Sequence, residues 1–256
     1  MCNRMKTPLL KAVVLAGAFA LSQTASAGRV ILNNDEWTFT DYGFSVAAPS
    51  TTTFATNLAS YMNSDGGACN LLVYSSNFGL TGAALKSALN GAGCSVTYST
   101  GAFDLPTLSG YDGVLLAGAQ YNYDAATLTS YVNSGHSAFI AGGTGVPNED
   151  AIWDSFAHAF GLDFGPSYNG IHAILPVSGG GPLLAGVSEL YFRNGNTVGL
   201  FGSDPNVQLV MGGLLAVNGG TGDTRVNGAI GVPEPATLAL FGLGLAGLGF
   251  SRRRLA

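Results

Sequence analysis

Positive charge is what this 256-residue chain has least of, and most of it lies away from the middle. Of ten Lys and Arg residues, six sit at the ends: Arg4, Lys6 and Lys11 at the start, Arg252, Arg253 and Arg254 at the finish. Between residues 28 and 231, four basic residues (Arg29, Lys86, Arg193, Arg225) face fourteen acidic ones, a net of -10. A surface this acidic repels phosphate backbones, which argues against nucleic acid as a partner. Cysteine is nearly absent as well. Cys2, Cys69 and Cys94 are too few and too far apart for a zinc ribbon or a dense disulfide scaffold. The three histidines form no HExxH or HxH spacing, no EF-hand loop occurs, and no repeat of 20 to 50 residues is visible. Neither a metal nor a cofactor is expected. Against these absences stands an apolar composition, 47% hydrophobic with only 10% charged residues, too hydrophobic for a disordered chain.

Both ends read as addresses. Residues 1–27 have a basic start, an apolar run from Ala12 to Leu21 and a small-residue cleavage site, Ala25-Ser26-Ala27, before Gly28. That order is a secretory signal peptide, which implies the Sec export machinery as a partner and takes Cys2 away with it. The other end, residues 232–256, begins Val232-Pro233-Glu234-Pro235, continues through an apolar run to Phe250 and closes on the three arginines. The prolines break structure arriving from the domain, and the arginines fix an apolar helix with its C-terminus in the cytoplasm. Fifteen residues from Ala236 to Phe250 make a helix of about 22 Å, short for a hydrocarbon core of roughly 30 Å, so the membrane anchor is marginal and suits a transient stay. Gly242-x-Gly244-x-x-Gly247 matches a dinucleotide fingerprint but follows no strand, and its glycines fit close helix approach in a membrane better.

Val-Pro-Glu-Pro, a short glycine-rich apolar helix and a terminal arginine cluster together resemble the PEP-CTERM sorting signal of Gram-negative bacteria. The resemblance implies an exosortase as processing partner. It also implies passage through the inner membrane to the cell surface or extracellular matrix, and an association with exopolysaccharide and biofilm. The main domain's own chemistry is left open by it.

Between the addresses, residues 28–231 alternate strand and helix. Strands are expected at Asn70–Ser76, Cys94–Ser99, Asp112–Gly118 and Ser137–Ala141. Helices are expected at Thr81–Gly91, after a cap at Asp124, and from a cap at Asn148 to about Phe160. Shorter strands follow near 171–177, 189–193, 197–202 and 207–211. Val30-Ile31-Leu32 reads as an extra strand ahead of this core, and Ser50–Met62 as a helix capped by Ser50. Alternation with short loops predicts an α/β fold, a mostly parallel sheet with helices on both faces. Over about residues 68–211 the order of elements, with the Ser-Ser-Asn-Phe-Gly-Leu loop and the Gly-Gly-Thr-Gly turn, resembles the flavodoxin-like fold of class I glutamine amidotransferase-like domains. Their cysteine nucleophile would stand in the turn after Ser137–Ala141, which here reads Gly143-Thr144-Gly145, and their His-x-Glu pair is absent. No catalytic residue carries over, and fold alone licenses no activity.

Several constellations remain. The mouth of such a sheet would be lined by Ser75–Phe78, Gly118–Tyr121 and Gly142–Thr144, with Ser76, Asn77, Gln120 and Thr144 as its polar side chains. Trp37 with Asn34 and Asp35 is the mix that sugars favour, the alternative being a core tryptophan beside a capping asparagine. Asp154 and His158, four apart on one helix face with His172 as a distant third, read as a solvated pair rather than a metal set. The Asp35-Glu36 cluster with Asp41 and the Glu149-Asp150 pair read as solvated acidic surface, the alternative being calcium sites in an extracellular setting. Gly135-His136-Ser137 begins like a nucleophile elbow, but its serine precedes a strand and Phe139 stands where the motif needs glycine. The leading expectation is a non-enzymatic exported protein touching polysaccharide. A hydrolase or degenerate amidotransferase-like enzyme at the mouth is the alternative, separated from it by convergent polar groups with shifted pKa values there.

Export leaves Cys69 and Cys94 as an even pair in an oxidising compartment. Each begins a predicted strand. If the two strands are parallel neighbours, as in a flavodoxin-like order, their first residues lie about 5 Å apart and a disulfide forms. The alternative is two buried free thiols.

Overall fold

The computed structural model describes residues 28–63, 66–177 and 181–219. Residues 1–27, expected to be a signal peptide, the Val232–Pro235 motif, the apolar run after it and Arg252–Arg254 lie outside the described residues. Among the described residues no helix is long and apolar enough to cross a membrane.

Eleven strands are described in chain order: β1 (Val30–Asn33), β2 (Cys69–Val73), β3 (Cys94–Tyr98), β4 (Gly113–Ala117), β5 (Ser137–Ala141), β6 (Leu162–Tyr168), β7 (His172–Pro176), β8 (Glu189–Arg193), β9 (Asn196–Leu200), β10 (Val207–Val210) and β11 (Leu215–Asn218). Six helices accompany them: α1 (Asp41–Val46), α2 (Ser50–Met62), α3 (Ala83–Gly91), α4 (Leu105–Leu108), α5 (Ala125–Asn133) and α6 (Glu149–Ala157). Seven strands form one sheet in the order β10-β11-β1-β5-β4-β2-β3, parallel from β1 to β3 and antiparallel at β11 and β10. Two antiparallel ladders, β6 with β9 and β7 with β8, stand beside it. The mixed α/β architecture with a mostly parallel sheet is as the alternation predicts.

The period of two along each central strand explains the layers. Ile31, Leu71, Val73, Leu115 and Phe139 face α1, α2 and α3 through Phe44, Phe54, Leu58, Leu85 and Leu89. Val30, Leu32, Leu72, Val114, Leu116 and Ile140 face the opposite way, onto Leu108, Leu128, Tyr131, Trp153 and Phe156 of α4, α5 and α6. Strands buried on both faces must be apolar throughout, as Gly113–Ala117 and Ser137–Ala141 nearly are.

The extra strand expected at Val30-Ile31-Leu32 is present as Val30–Asn33, fully buried between β5 and β11 and parallel to β5. Two expectations need correction. Ser50 does not cap α2 but begins it, and its hydroxyl shares a 2.8 Å hydrogen bond with Ser188. Asn148 precedes α6 in the left-handed region without a side-chain cap, and the helix gives way at His158 to a 3-10 turn reaching Phe160. Asp124 does cap α5, accepting from the Thr127 N–H at 2.7 Å.

Cys69 and Cys94 stand opposite each other in the parallel register of β2 and β3, with Cα atoms 4.4 Å apart, and form a disulfide. The bridge pins the edge strand of the sheet to its neighbour.

Candidate functional site

The C-terminal ends of β1, β5, β4 and β2 open on one side of the sheet, where ligands of open parallel sheets bind. What gathers there is a group of polar side chains. From the end of β1 come Asp35, Glu36 and Trp37, from the loop after β2 Asn77 and Phe78, and from the turn after β5 Thr144, with Glu149 at the start of α6.

Their hydrogen bonds interlock. The Asp35 side chain accepts from the Trp37 N–H at 2.8 Å and from the backbone N–H of Arg193, so it ties the end of β1 to the end of β8. Glu36 accepts from the Asn77 amide at 2.5 Å, while the Asn77 oxygen accepts from the Gly79 N–H at 2.7 Å and closes a tight loop. Thr144 donates its hydroxyl to Glu149 at 2.6 Å and its backbone N–H to the other carboxyl oxygen at 3.0 Å. At Gly118, the first residue after β4, a β-carbon would stand 3.7 Å from the Thr144 hydroxyl and 3.8 Å from the Asn77 amide, which places both around one point. Gly143 is required where it stands. Its φ is +70°, and a β-carbon there would meet the Gly195 Cα at 2.7 Å.

Burial, not solvation, is the state of three of these acids. Asp35, Glu36 and Glu149 are all buried, which corrects the expectation of solvated acidic surface for these three, while Asp41 is exposed and Asp150 half-buried. Burial raises the Asp35 carboxyl to about 6, against the opposing pull of the Trp37 and Arg193 N–H groups and the Arg193 charge. It raises Glu36 to about 7, with the charges of Asp35 and Glu149 adding to the rise and the Asn77 bond opposing it. Glu149 is raised by burial too, opposed chiefly by the two Thr144 bonds.

Outside this buried layer is an open cleft of about 260 Å³, lined by Glu36, Trp37, Thr144, Tyr168, Arg193 and Asn194 among others. Trp37 is half-buried, with the Arg193 guanidinium 4.3 Å over its ring and Phe78 set edge-on at 5.0 Å. Tyr168 is half exposed.

Of the side chains expected at the mouth, Asn77 and Thr144 meet there. Gln120 instead turns back to the Ala117 carbonyl at 3.0 Å, and Ser76 is exposed. Of the expected sugar contacts, Trp37 lines the cleft whereas Asn34 and Asp35 are wholly buried, supporting its wall from behind. Arg193, Tyr168 and Glu149 were not anticipated as partners of this place. Nothing local in the sequence joins residue 36 to residue 193.

His158 lies 2.8 Å from Asp163 and 3.7 Å from Asp154, with its ring stacked on Phe201 at 3.7 Å. The third member of that cluster is thus Asp163, while His172 stands on β7 opposite Arg193. Ser137 is wholly buried at the start of β5 and donates to the Met62 carbonyl. Both cysteine sulfurs among the described residues are committed to the disulfide.

No curated protein matches the chain, and no solved structure does. The family description "PEP-CTERM protein-sorting motif" matches residues 231–254, spanning Val232-Pro233-Glu234-Pro235 and the arginine cluster. The chain therefore carries the sorting signal of an exosortase substrate, an exported protein held transiently at the membrane.

Proposed function

We propose that the domain is a polysaccharide-binding protein of the cell surface or extracellular matrix, associated with exopolysaccharide, and that a sugar unit occupies the cleft at the C-terminal edge of the sheet. The observation that carries this reading is the pairing of Trp37 and Tyr168 with the polar groups of Glu36, Thr144, Arg193 and Asn194 around one opening. Sugars present an apolar pyranose face and a rim of hydroxyls, so an aromatic ring and fixed hydrogen-bonding groups recognise them together. At about 260 Å³ the cleft is just below the roughly 300–1,000 Å³ of ligand pockets, which suits one sugar unit of a polymer whose remainder stays in solvent. The test is binding of the exported protein to the host's own exopolysaccharide. Trp37→Ala should weaken it at least tenfold without changing the far-UV circular dichroism. Unchanged affinity removes the cleft from the reading.

One observation favours a hydrolase at the same place. Glu36 keeps its proton to about 7, the condition a general acid needs at neutral pH, and Glu149 supplies a second carboxyl nearby. Release of reducing ends from the polymer, abolished by Glu36→Gln, would establish that reading. Binding without turnover supports the first.

A further inference from the structure

Cations are rare enough in this domain to be followed one by one. Among the described residues they are Arg29, Lys86 and Arg193. Arg29 is buried, stacked on Tyr61 and bonded to its carbonyl, and Lys86 lies over the Tyr98 ring at 5.3 Å on the outer side of α3. Arg193 is the one of these three that lines the cleft.

Its side chain is held over an aromatic ring with its hydrogen-bond donors unused. The guanidinium rests 4.3 Å over the Trp37 ring, which fixes its plane at the mouth of the cleft. Its backbone N–H is taken by Asp35, yet none of its guanidinium N–H groups makes a hydrogen bond or ion pair among the described residues. The carboxyls of this site have donors of their own. Asp35 accepts from two backbone N–H groups, Glu36 from Asn77, and Glu149 from Thr144 at both oxygens. An exposed arginine in a strongly acidic domain has carboxylates at hand, yet the hydrogen bonds of Asp35, Glu36 and Glu149 go to other donors. A planar, pre-oriented guanidinium fork with free donors is a bidentate receptor for a planar oxyanion, above all a carboxylate.

From this free fork in an aromatic cleft we infer that the site takes an acidic sugar, a pyranose bearing a carboxylate, with Arg193 receiving the carboxylate and Tyr168, Asn194 and Thr144 meeting the ring and its hydroxyls. The inference rests on the sugar-cleft reading above and narrows it to one ligand class. Arg193 is then the residue that sets specificity.

The test compares polygalacturonate, its methyl ester and a neutral glucan as probes on the exported protein by calorimetry. The ester keeps the ring and removes the charge. The expected result is at least tenfold tighter binding of polygalacturonate than of its ester. Arg193→Gln should erase that preference, while Arg193→Lys, which retains charge but not the fork, should keep only part of it. Melting temperatures of the variants within about 2 °C of wild type exclude a folding defect, since a surface change costs little. Equal binding of polygalacturonate and ester, or binding of the neutral glucan alone, overturns the acidic-sugar inference and leaves the sugar cleft standing. Binding of none of the three overturns both.

Discussion

Replacing Cys69 and Cys94 together with alanine removes the covalent tie between β2 and β3 and leaves their backbone ladder in place. The bridge closes a loop of 25 residues. The loop-closure entropy it withholds from the unfolded chain is about 3.5 kcal/mol at 25 °C, from 2.1 plus 1.5R ln n cal/mol/K. The native side of the balance changes less, because both positions are buried and alanine keeps the β-carbon of each. For a domain of this size about 3.5 kcal/mol lowers the melting temperature by roughly 7–14 °C. The loss should also have a location. β3 is the end strand of the sheet, paired only with β2, and beyond Cys94 its side chains alternate between exposed and half-buried. Amide exchange at residues 95–98 should therefore quicken more than exchange in β4 or β5, which have neighbours on both sides. Calorimetry and hydrogen exchange on the double variant, with reduced wild type as a control, measure both effects. A melting shift under about 2 °C, or protection lost uniformly across the sheet, would refute the reasoning.

Gly28→Ala should destabilise the domain by about 1–3 kcal/mol in a denaturant titration, because a β-carbon at this buried position would stand 1.5 Å from the His136 carbonyl oxygen; an unchanged midpoint contradicts the packing of Gly28 against the end of α5 and the turn that leads to β5. Thr144→Val leaves the buried Glu149 carboxyl without its hydroxyl donor and should cost about 1–3 kcal/mol by the same measurement, whereas Thr144→Ser should cost much less. The folded state holds protons on Asp35 to about 6 and on Glu36 to about 7, while the unfolded chain releases them near 3.8 and 4.5, so these groups make stability fall as pH rises between about 4 and 7. Glu36→Gln should match wild type near pH 4 and exceed it in melting temperature above pH 7; a difference constant with pH would show that Glu36 titrates as an ordinary carboxyl.

Much of the scaffold is legible in the sequence because central strands buried on both faces leave apolar runs that little else explains. Leu71–Val73, Gly113–Ala117 and Ser137–Ala141 are of this kind, and the strand-opening positions of Cys69 and Cys94 carry the β2–β3 register with them. Val30–Ile31–Leu32 is equally apolar, but three residues say nothing about which strand they will join. Its insertion beside β5 is a long-range pairing, decided by the faces that must be covered. Leu162–Tyr168 escaped notice because Gly165 and Pro166 interrupt its pattern, and it survives as a strand in an irregular ladder with β9. The site is legible by halves. Asn77 and Thr144 follow from the rule that ligands meet the C-terminal ends of parallel strands. The burial of Asp35, Glu36 and Glu149 is not legible, since acidic residues default to solvent and it is the returning β8, the loop after β2 and the turn after β5 that bring donors which make their burial tolerable.

One measurement reaches the account at its centre, that this chain is exported, trimmed at both ends and locked by its disulfide outside the cytoplasm: the intact mass of the protein released from the cell surface, before and after reduction. The released chain should begin near Gly28 and end close to Pro235. It should gain about 2 Da on reduction as Cys69 and Cys94 take up hydrogen, and take up alkylating reagent at both only then. A released protein that still carries Arg252–Arg254 or the segment before Gly28, or whose two cysteines are alkylated without reduction, would contradict it.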